Sequence, residues 1–364
     1  MTVLRYIQWV FLTAACFAVL SALQHPLRKR PGVPAALPVL IVKALLCPAL
    51  AYVVMVINHA FVFRFGLVLG ALYVALCGDL LGDLLTLPAA VLKKDRRRAA
   101  PVAGAVCAVL YLIAGTVNMQ TVTANYLAFS SPKLTESHRF VFLADLHVGS
   151  SQSMKTTEET IRRVMAEQPD FVVLGGDITD EFTTPEEVAQ TFRMLGKIDA
   201  PVYYIYGNHD LQPGNAFSDW FAYSPEELDA AISESGIEIV KDAWIPLSED
   251  LVLFGREDFS YGDRKPLEEI PARPEEAFVL LIDHSPYQTE DILASGADLQ
   301  LSGHTHAGQL FPLQALYRLT GHDALGSFRH GDTELYVTPG ASGWYVPFRT
   351  EARCSYEVVT LEPA

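Results

Sequence analysis

The stretch Arg139–His147, RFVFLADLH, decides the fold. Four consecutive apolar residues, Phe140 to Leu143, are aromatic, β-branched or leucine, and after Ala144 the run breaks into Asp145 and His147. An apolar run this short predicts a strand buried on both faces. Polar residues just past such a strand fall on the sheet edge where α/β folds keep their ligand sites. FVVLGGD (Phe171–Asp177) and VYYIYGNHD (Val202–Asp210) repeat the scheme.

Helix starts stand between these runs. Thr156 with Glu159, Thr184-Pro185-Glu186-Glu187 and Ser224-Pro225-Glu226-Glu227 have the spacing of capping boxes. Ile161, Val164 and Met165 then supply one apolar face. Asp145, Asp177 and Asn208 are about 30 residues apart, the span of a βαβ unit, so the strands should be parallel with their C-terminal ends on one edge. Five later runs predict a second, mixed sheet packed on the first: LVLFGRED (Leu251–Asp258), FVLLIDHSP (Phe278–Pro286), DLQLSGHTH (Asp298–His306), ELYVTP (Glu334–Pro339) and SYEVVTLEP (Ser355–Pro363). Leu310–Thr333 reads as a long loop rich in leucine and aromatic residues.

The first third is different. Residues 1–120 carry 11 Lys and Arg against 3 Asp and Glu, a balance of +8, and the remainder carries −23. Four apolar stretches, about Leu4–Leu23, Leu37–Ile57, Phe65–Leu87 and Val102–Met119, approach the ~20 residues a bilayer-spanning helix needs. The first could pass for a signal peptide, but three further spans follow it, so it is read as an anchor. RKR (Arg28–Arg30) and KKDRRR (Lys93–Arg98) occupy the loops after spans one and three, and basic loops stay cytoplasmic. The expected protein is therefore a multi-pass membrane protein with its acidic domain outside the cytoplasm. Lys43, Asp79 and Asp83 within the spans read as a structural ion pair, with too few polar residues for a transport path. Four of the five cysteines lie in these spans, so no disulfide framework is available to the acidic domain. No basic face suggests nucleic acid.

Half of the ten histidines fall among the polar groups at strand ends: Asp145 and His147, Asp177, Asn208-His209-Asp210, His284, and the pair His304 and His306. Imidazole and carboxylate without thiolate suit two divalent ions such as manganese, iron or zinc, with Asp177 as the natural bridge. Two such ions clamp the attacking and leaving oxygens of a displacement at phosphorus.

The series DLH, GGD, GNHD, DH, GHTH, over residues 138–306, resembles the calcineurin-like metallophosphoesterases. GHTHAGQ followed by YVTPGASGWYVPFR is similar to their membrane-associated branch, which contains bacterial UDP-2,3-diacylglucosamine pyrophosphatases and cell-wall-associated phosphodiesterases. Many of that branch have Gly where Ala307 stands. The resemblance implies that Asp145, His147, Asp177 and His306 hold one metal and that Asp177, Asn208, His284 and His304 hold the other. It further implies hydrolysis by a metal-bridging hydroxide, with His209 protonating the leaving oxygen and Asp210 orienting the His209 ring. Arg349 is read as a solvated partner for acidic residues rather than a phosphate clamp.

The expected architecture is a four-helix transmembrane region, residues 1–120, followed by an α/β metallophosphoesterase domain, residues 121–364, with two packed mixed sheets flanked by helices. The expected function is hydrolysis of a phosphodiester or pyrophosphate whose substrate is lipid- or envelope-linked, with membrane lipids as the other partner. Two alternatives stand beside it: a cytoplasm-facing enzyme similar to the UDP-2,3-diacylglucosamine pyrophosphatases, and a membrane protein that binds or senses a phosphate ligand without turnover.

Overall fold

The computed structural model describes residues 3–29, 33–55, 59–92, 94–211, 221–271, 276–287 and 289–364. Arg30 and Lys93 of the basic loops, and Ile57 at the end of the second expected span, lie outside them. The chain divides into two units: Met1–Asn118 with Gly308–Ala315 and Val346–Glu351, and Met119–Ala307 with Leu316–Tyr345 and Ala352–Ala364.

The first unit is helical. It contains α1 (Val3–Lys29), α2 (Val33–Met55), α3 (His59–Leu85), the short α4 (Leu87–Val91) and α5 (Ala99–Met119). All but α4 are long and apolar enough to cross a membrane. Lys43 of α2 pairs with Asp79 and Asp83 of α3, as its sequence suggested, and Arg28 of α1 joins the same two carboxylates. Two segments from much later in the chain belong to this unit. Trp9 meets Phe348 edge-on at 5.5 Å, and Tyr111 donates through its hydroxyl to Thr350 Oγ1 at 2.8 Å. Arg349, expected to be solvated, is fully buried here.

The second unit is an α/β sandwich. In chain order it contains β1 (Val122–Ser131), β2 (His138–Leu143), α6 (Met154–Ala166), β3 (Phe171–Leu174), α7 (Pro185–Leu195), β4 (Val202–Tyr204), α8 (Asn208–Leu211), α9 (Pro225–Glu234), β5 (Glu238–Ile239), β6 (Ala243–Pro246), β7 (Leu251–Gly255), β8 (Phe278–Ile282), α10 (Thr289–Ser295), β9 (Leu299–Ser302), the part of α11 (Leu313–Thr320) from Leu316 on, β10 (Gly326–His330), β11 (Thr333–Val337) and β12 (Cys354–Pro363). One sheet has the order β1-β12-β2-β3-β4-β5 and the other β10-β11-β9-β8-β7-β6. The β2–β3–β4 ladder is parallel, as is β7–β8–β9–β11.

Strand β2 shows why the sheets stack. Its alternate residues Phe140 and Phe142 join Phe171, Ile205, Leu253, Leu280 and Leu301 in the layer between the sheets. Val141 and Leu143 face the other way, onto Ile161 and Val164 of α6 and Val188 and Phe192 of α7. Period-two alternation thus fills both faces with apolar groups. Thr184 and Ser224 form the expected capping boxes. Helix α6 starts earlier than expected: Ser153 is its cap, accepting from Thr156 N, so Thr156 lies inside the first turn.

Two further expectations are corrected. SYEVVTLEP lies in the first sheet as β12, between β1 and β2, because its backbone pairs with strands from the domain's beginning. Leu310–Thr333 is no loop: it folds into α11 and β10.

Candidate metal centre

Polar residues gather where the strands stop because the backbone stitches those ends together. Asp145 N donates to Gly176 O, His147 N to Asp177 O and Gly303 N to His284 O, all at 2.9–3.0 Å. The turns are tight: Asp145, His147, Asp177, His304 and His306 all have positive φ, between 42° and 71°. Backbone strain of this kind costs about 1–3 kcal/mol per residue and persists where surrounding structure enforces it. At Gly176, φ is +88°, and an added Cβ would come within 2.6 Å of Gly207 N and 2.7 Å of His284 Nδ1, so only glycine fits.

Two groups of side chains converge. Asp145, His147 and His306 have ligand atoms within 4.8 Å of one another, and so have Asp177, His284 and His304. His147 Nδ1 faces Asp180 Oδ2 at 3.1 Å and His284 Nδ1 faces Gly175 O at 2.8 Å. The other nitrogen of each ring, Nε2, is buried without a hydrogen-bond partner, as is Asp177 Oδ2. These three atoms point at each other, with His284 Nε2 3.0 Å and His147 Nε2 3.6 Å from Asp177 Oδ2. Buried polar atoms without partners are costly. A divalent cation on each side of Asp177 would satisfy all three. A ligating imidazole ordinarily fixes its second nitrogen on a carboxylate or carbonyl, which is what Asp180 and Gly175 provide.

The remaining expected residues join this group. Asn208 Oδ1 is 2.7 Å from His304 Nδ1, and the His304 backbone N–H donates to Asp145. Burial and the neighbouring His284 push His304 down to about 4, leaving it neutral, the state in which imidazole binds metals. Asp177 Oδ1 accepts from His209 N at 2.7 Å.

Asp210 does not orient the His209 ring. Its carboxylate is taken up by Asp177 N, Gly207 N, Thr179 N and Thr179 Oγ1 at 2.7–3.1 Å, so it braces the backbone of two site turns. The carboxylate at the ring belongs to Glu181, whose Oε2 is 3.3 Å from His209 Nδ1. Trp344 Nε1 donates to Glu181 Oε1 at 3.1 Å, and the indole lies 4.8 Å from the His209 ring, centroid to centroid. Burial works against a charged His209, but the charges of Asp177 and Glu181 outweigh it and raise it to about 9.

Residues 138–308 match the family model described as calcineurin-like phosphoesterase. This segment of the chain is thus similar to the calcineurin-like phosphoesterases. An uncharacterized metallophosphoesterase of Helicobacter pylori is 31% identical over 241 residues, covering 64% of this chain and 61% of that protein. A Danio rerio transmembrane protein with metallophosphoesterase domain is 28% identical over 246 residues, covering 64% and 55%. The phosphodiesterase YaeI of Escherichia coli is 26% identical over 238 residues, covering 62% and 81%. The chain thus spans 55–61% of the length of the first two.

Within the second unit, sequence reasoning missed Asp180, Glu181 and Trp344. The acidic pair follows GGD after only Ile178 and Thr179, and three or four residues past a ligand is within reach of the same turn, so that signal was present. Trp344 comes from far along the chain, inside the stretch YVTPGASGWYVPFR, but nothing in that stretch placed it beside His209. A third acidic and histidine group, Glu136, His138 and Asp250, lies apart from the strand-end motifs. There Asp250 already accepts from Thr135 N, Thr135 Oγ1, Glu136 N and Ser248 Oγ, with His138 Nε2 2.8 Å away, which is a structural role.

Proposed function

We propose that this chain is a membrane-anchored phosphoesterase that hydrolyses a phosphodiester or pyrophosphate linkage at two divalent cations, manganese, iron or zinc, with the phosphate carried on a lipid or an envelope polymer. Residues 1–120 would be the anchor and 121–364 the catalytic domain. One observation carries the reading: Nε2 of His147, Nε2 of His284 and Oδ2 of Asp177 are buried, the two nitrogens converge to 3.6 and 3.0 Å from that oxygen, and none of the three has a well-aligned hydrogen bond.

Asp145, His147, Asp177 and His306 would hold one cation, and Asp177, Asn208, His284 and His304 the other. When bound, the cations supply Lewis acidity, lowering the pKa of a water and neutralising charge on the phosphate oxygens. The protein's own part is proton delivery and rigidity. With Nδ1 of His209 turned to Glu181, the proton available to a leaving oxygen is the one on Nε2. Trp344 fixes the Glu181 carboxylate, and Asp210 locks the turns that carry Asp177 and Asn208.

The test uses full-length protein in detergent with bis(p-nitrophenyl) phosphate. Hydrolysis is expected to vanish on chelation and return with manganese. Activity persisting in protein shown by metal analysis to hold no divalent ion would overturn the reading.

A further inference from the structure

We infer that Phe259, Tyr287, Tyr317 and His322 form a specificity ledge beside the metal centre that takes a flat-faced ring, a sugar or a nucleobase, esterified to the phosphate. This deepens the proposed function and rests on it. Exposure locates the mouth of the site. Asp145, His147, Asp177 and His284 are at most 1% exposed by side chain or residue, whereas Asn208 and His304 are half-buried. The centre therefore opens past His304.

Aromatic rings stand at that opening. Tyr287 meets His304 at 5.3 Å and 87°, and lies 6.4 Å from Phe259 at 77° and 6.5 Å from His322 at 85°. Tyr317 closes the row, 6.0 Å from His322. Phe259 is 43% and Tyr287 39% exposed. Large apolar rings grouped in water next to a polar centre mark a ligand surface. Tyr287 stands nearly perpendicular to Phe259 and to His322, while Tyr317 is tilted by 49° to His322; the steps around Tyr287 make a notch that suits a rigid ring lying on one face and meeting the edge of the next. A flexible alkyl chain would lose rotamer freedom there and gain no stacking. The ledge lies on three separate pieces of chain: the turn after β7, the turn after β8, and α11 with the residues after it.

Inhibition constants test this, measured from initial rates of bis(p-nitrophenyl) phosphate hydrolysis by the manganese-loaded full chain. The probes are glucose 1-phosphate, uridine monophosphate, butyl phosphate and inorganic phosphate. At least one ring-bearing ester is expected to inhibit about tenfold more tightly than butyl phosphate, the scale of one ring stacked on an aromatic side chain. Whichever of the two binds more tightly names a sugar or a base as the ring. Phe259→Ala and Tyr287→Leu should each erase most of that preference while metal content and inhibition by inorganic phosphate stay as they were. Equal inhibition by ring and butyl esters of the unaltered protein would overturn the ledge and leave the phosphoesterase reading intact. So would variants that weaken inorganic phosphate as much as the ring esters, because the residues would then serve the phosphate site or the fold. Absence of any metal-dependent hydrolysis would instead sink the phosphoesterase reading, and the ledge with it.

Discussion

Asp177 is asked to do two things with one carboxylate. Oδ1 takes the backbone N–H of His209, and Oδ2 is left for the space between His147 and His284. Burial alone would raise its pKa, but the histidines around it, His284 first, hold it well below the ordinary carboxylate range, so it stays charged. Asp177→Asn replaces one of the two carboxylate oxygens with an NH2 group that cannot accept or ligate, and removes that charge. The expected result is loss of at least one divalent ion per chain by metal analysis, with activity falling alongside. His209→Ala should behave differently, because no proposed ligand atom belongs to His209. Both ions are expected to remain while kcat falls by about 10²–10⁴-fold, the usual contribution of a general acid. Metal loss in the His209 variant would show that its role is binding rather than proton delivery.

At the scale of elements, β12 shows what a central strand can hide. Glu357 lies opposite Phe142 of β2, fully buried, with its oxygens accepting from Thr338 Oγ1 at 2.7 Å and Ser355 Oγ at 2.9 Å. Burial pushes its carboxyl up to about 7, against an ordinary value of 4.5, only partly offset by those hydroxyls. A folded pKa above the unfolded one means that the folded state favours the proton. Its contribution is complete below pH 4.5 and is lost as pH rises through 7. Glu357→Gln removes the titration while keeping the shape. The melting temperature of the variant should match the parent near pH 5 and exceed it by roughly 5 °C near pH 8.5; identical pH profiles would show that Glu357 does not titrate in this range. The same strand marks the limit of sequence reasoning. Apolar runs and capping boxes were legible because they are local, and the ligand motifs were legible because each ends a buried strand. Which sheet a run joins depends on partners some 230 residues away, as in the pairing of Val122 with Cys354, and periodicity carries no trace of that. β1 was missed for a related reason: its half-exposed pattern lacks the continuous apolar run of β2. Glu181 was passed over for Asp210 because adjacency in sequence was taken for adjacency to the ring.

For the whole molecule, the open question with most consequence is which side of the membrane the metal centre faces, and the helical unit bears on it through its charges. Asp83 lies 3.1 Å from Arg28 Nε and 3.6 Å from Arg96 Nη1, and Lys43 pairs with it as well. Arg28 follows the first apolar span and Arg96 precedes the fourth. Both basic loops are therefore drawn to the same end of the unit. Three cations surround two carboxylates there, so pairing spares each charge an isolated place in hydrocarbon and leaves a net positive end. Positive loop residues are retained in the cytoplasm, so if all four apolar helices cross, as proposed, the chain after Met119 would emerge on the opposite side. An alkaline phosphatase reporter fused after Ala364 is thus expected to be active, and a fluorescent protein that matures only in the cytoplasm is expected to stay dark at the same position. The choice of substrate turns on this result, because envelope polymers are reachable from outside, whereas a nucleotide-linked lipid such as UDP-2,3-diacylglucosamine is a cytoplasmic substrate. A stable but inactive phosphatase fusion paired with a bright fluorescent one would reverse the orientation and move the substrate from the envelope to the nucleotide-linked lipid, while leaving the chemistry of the metal centre as described.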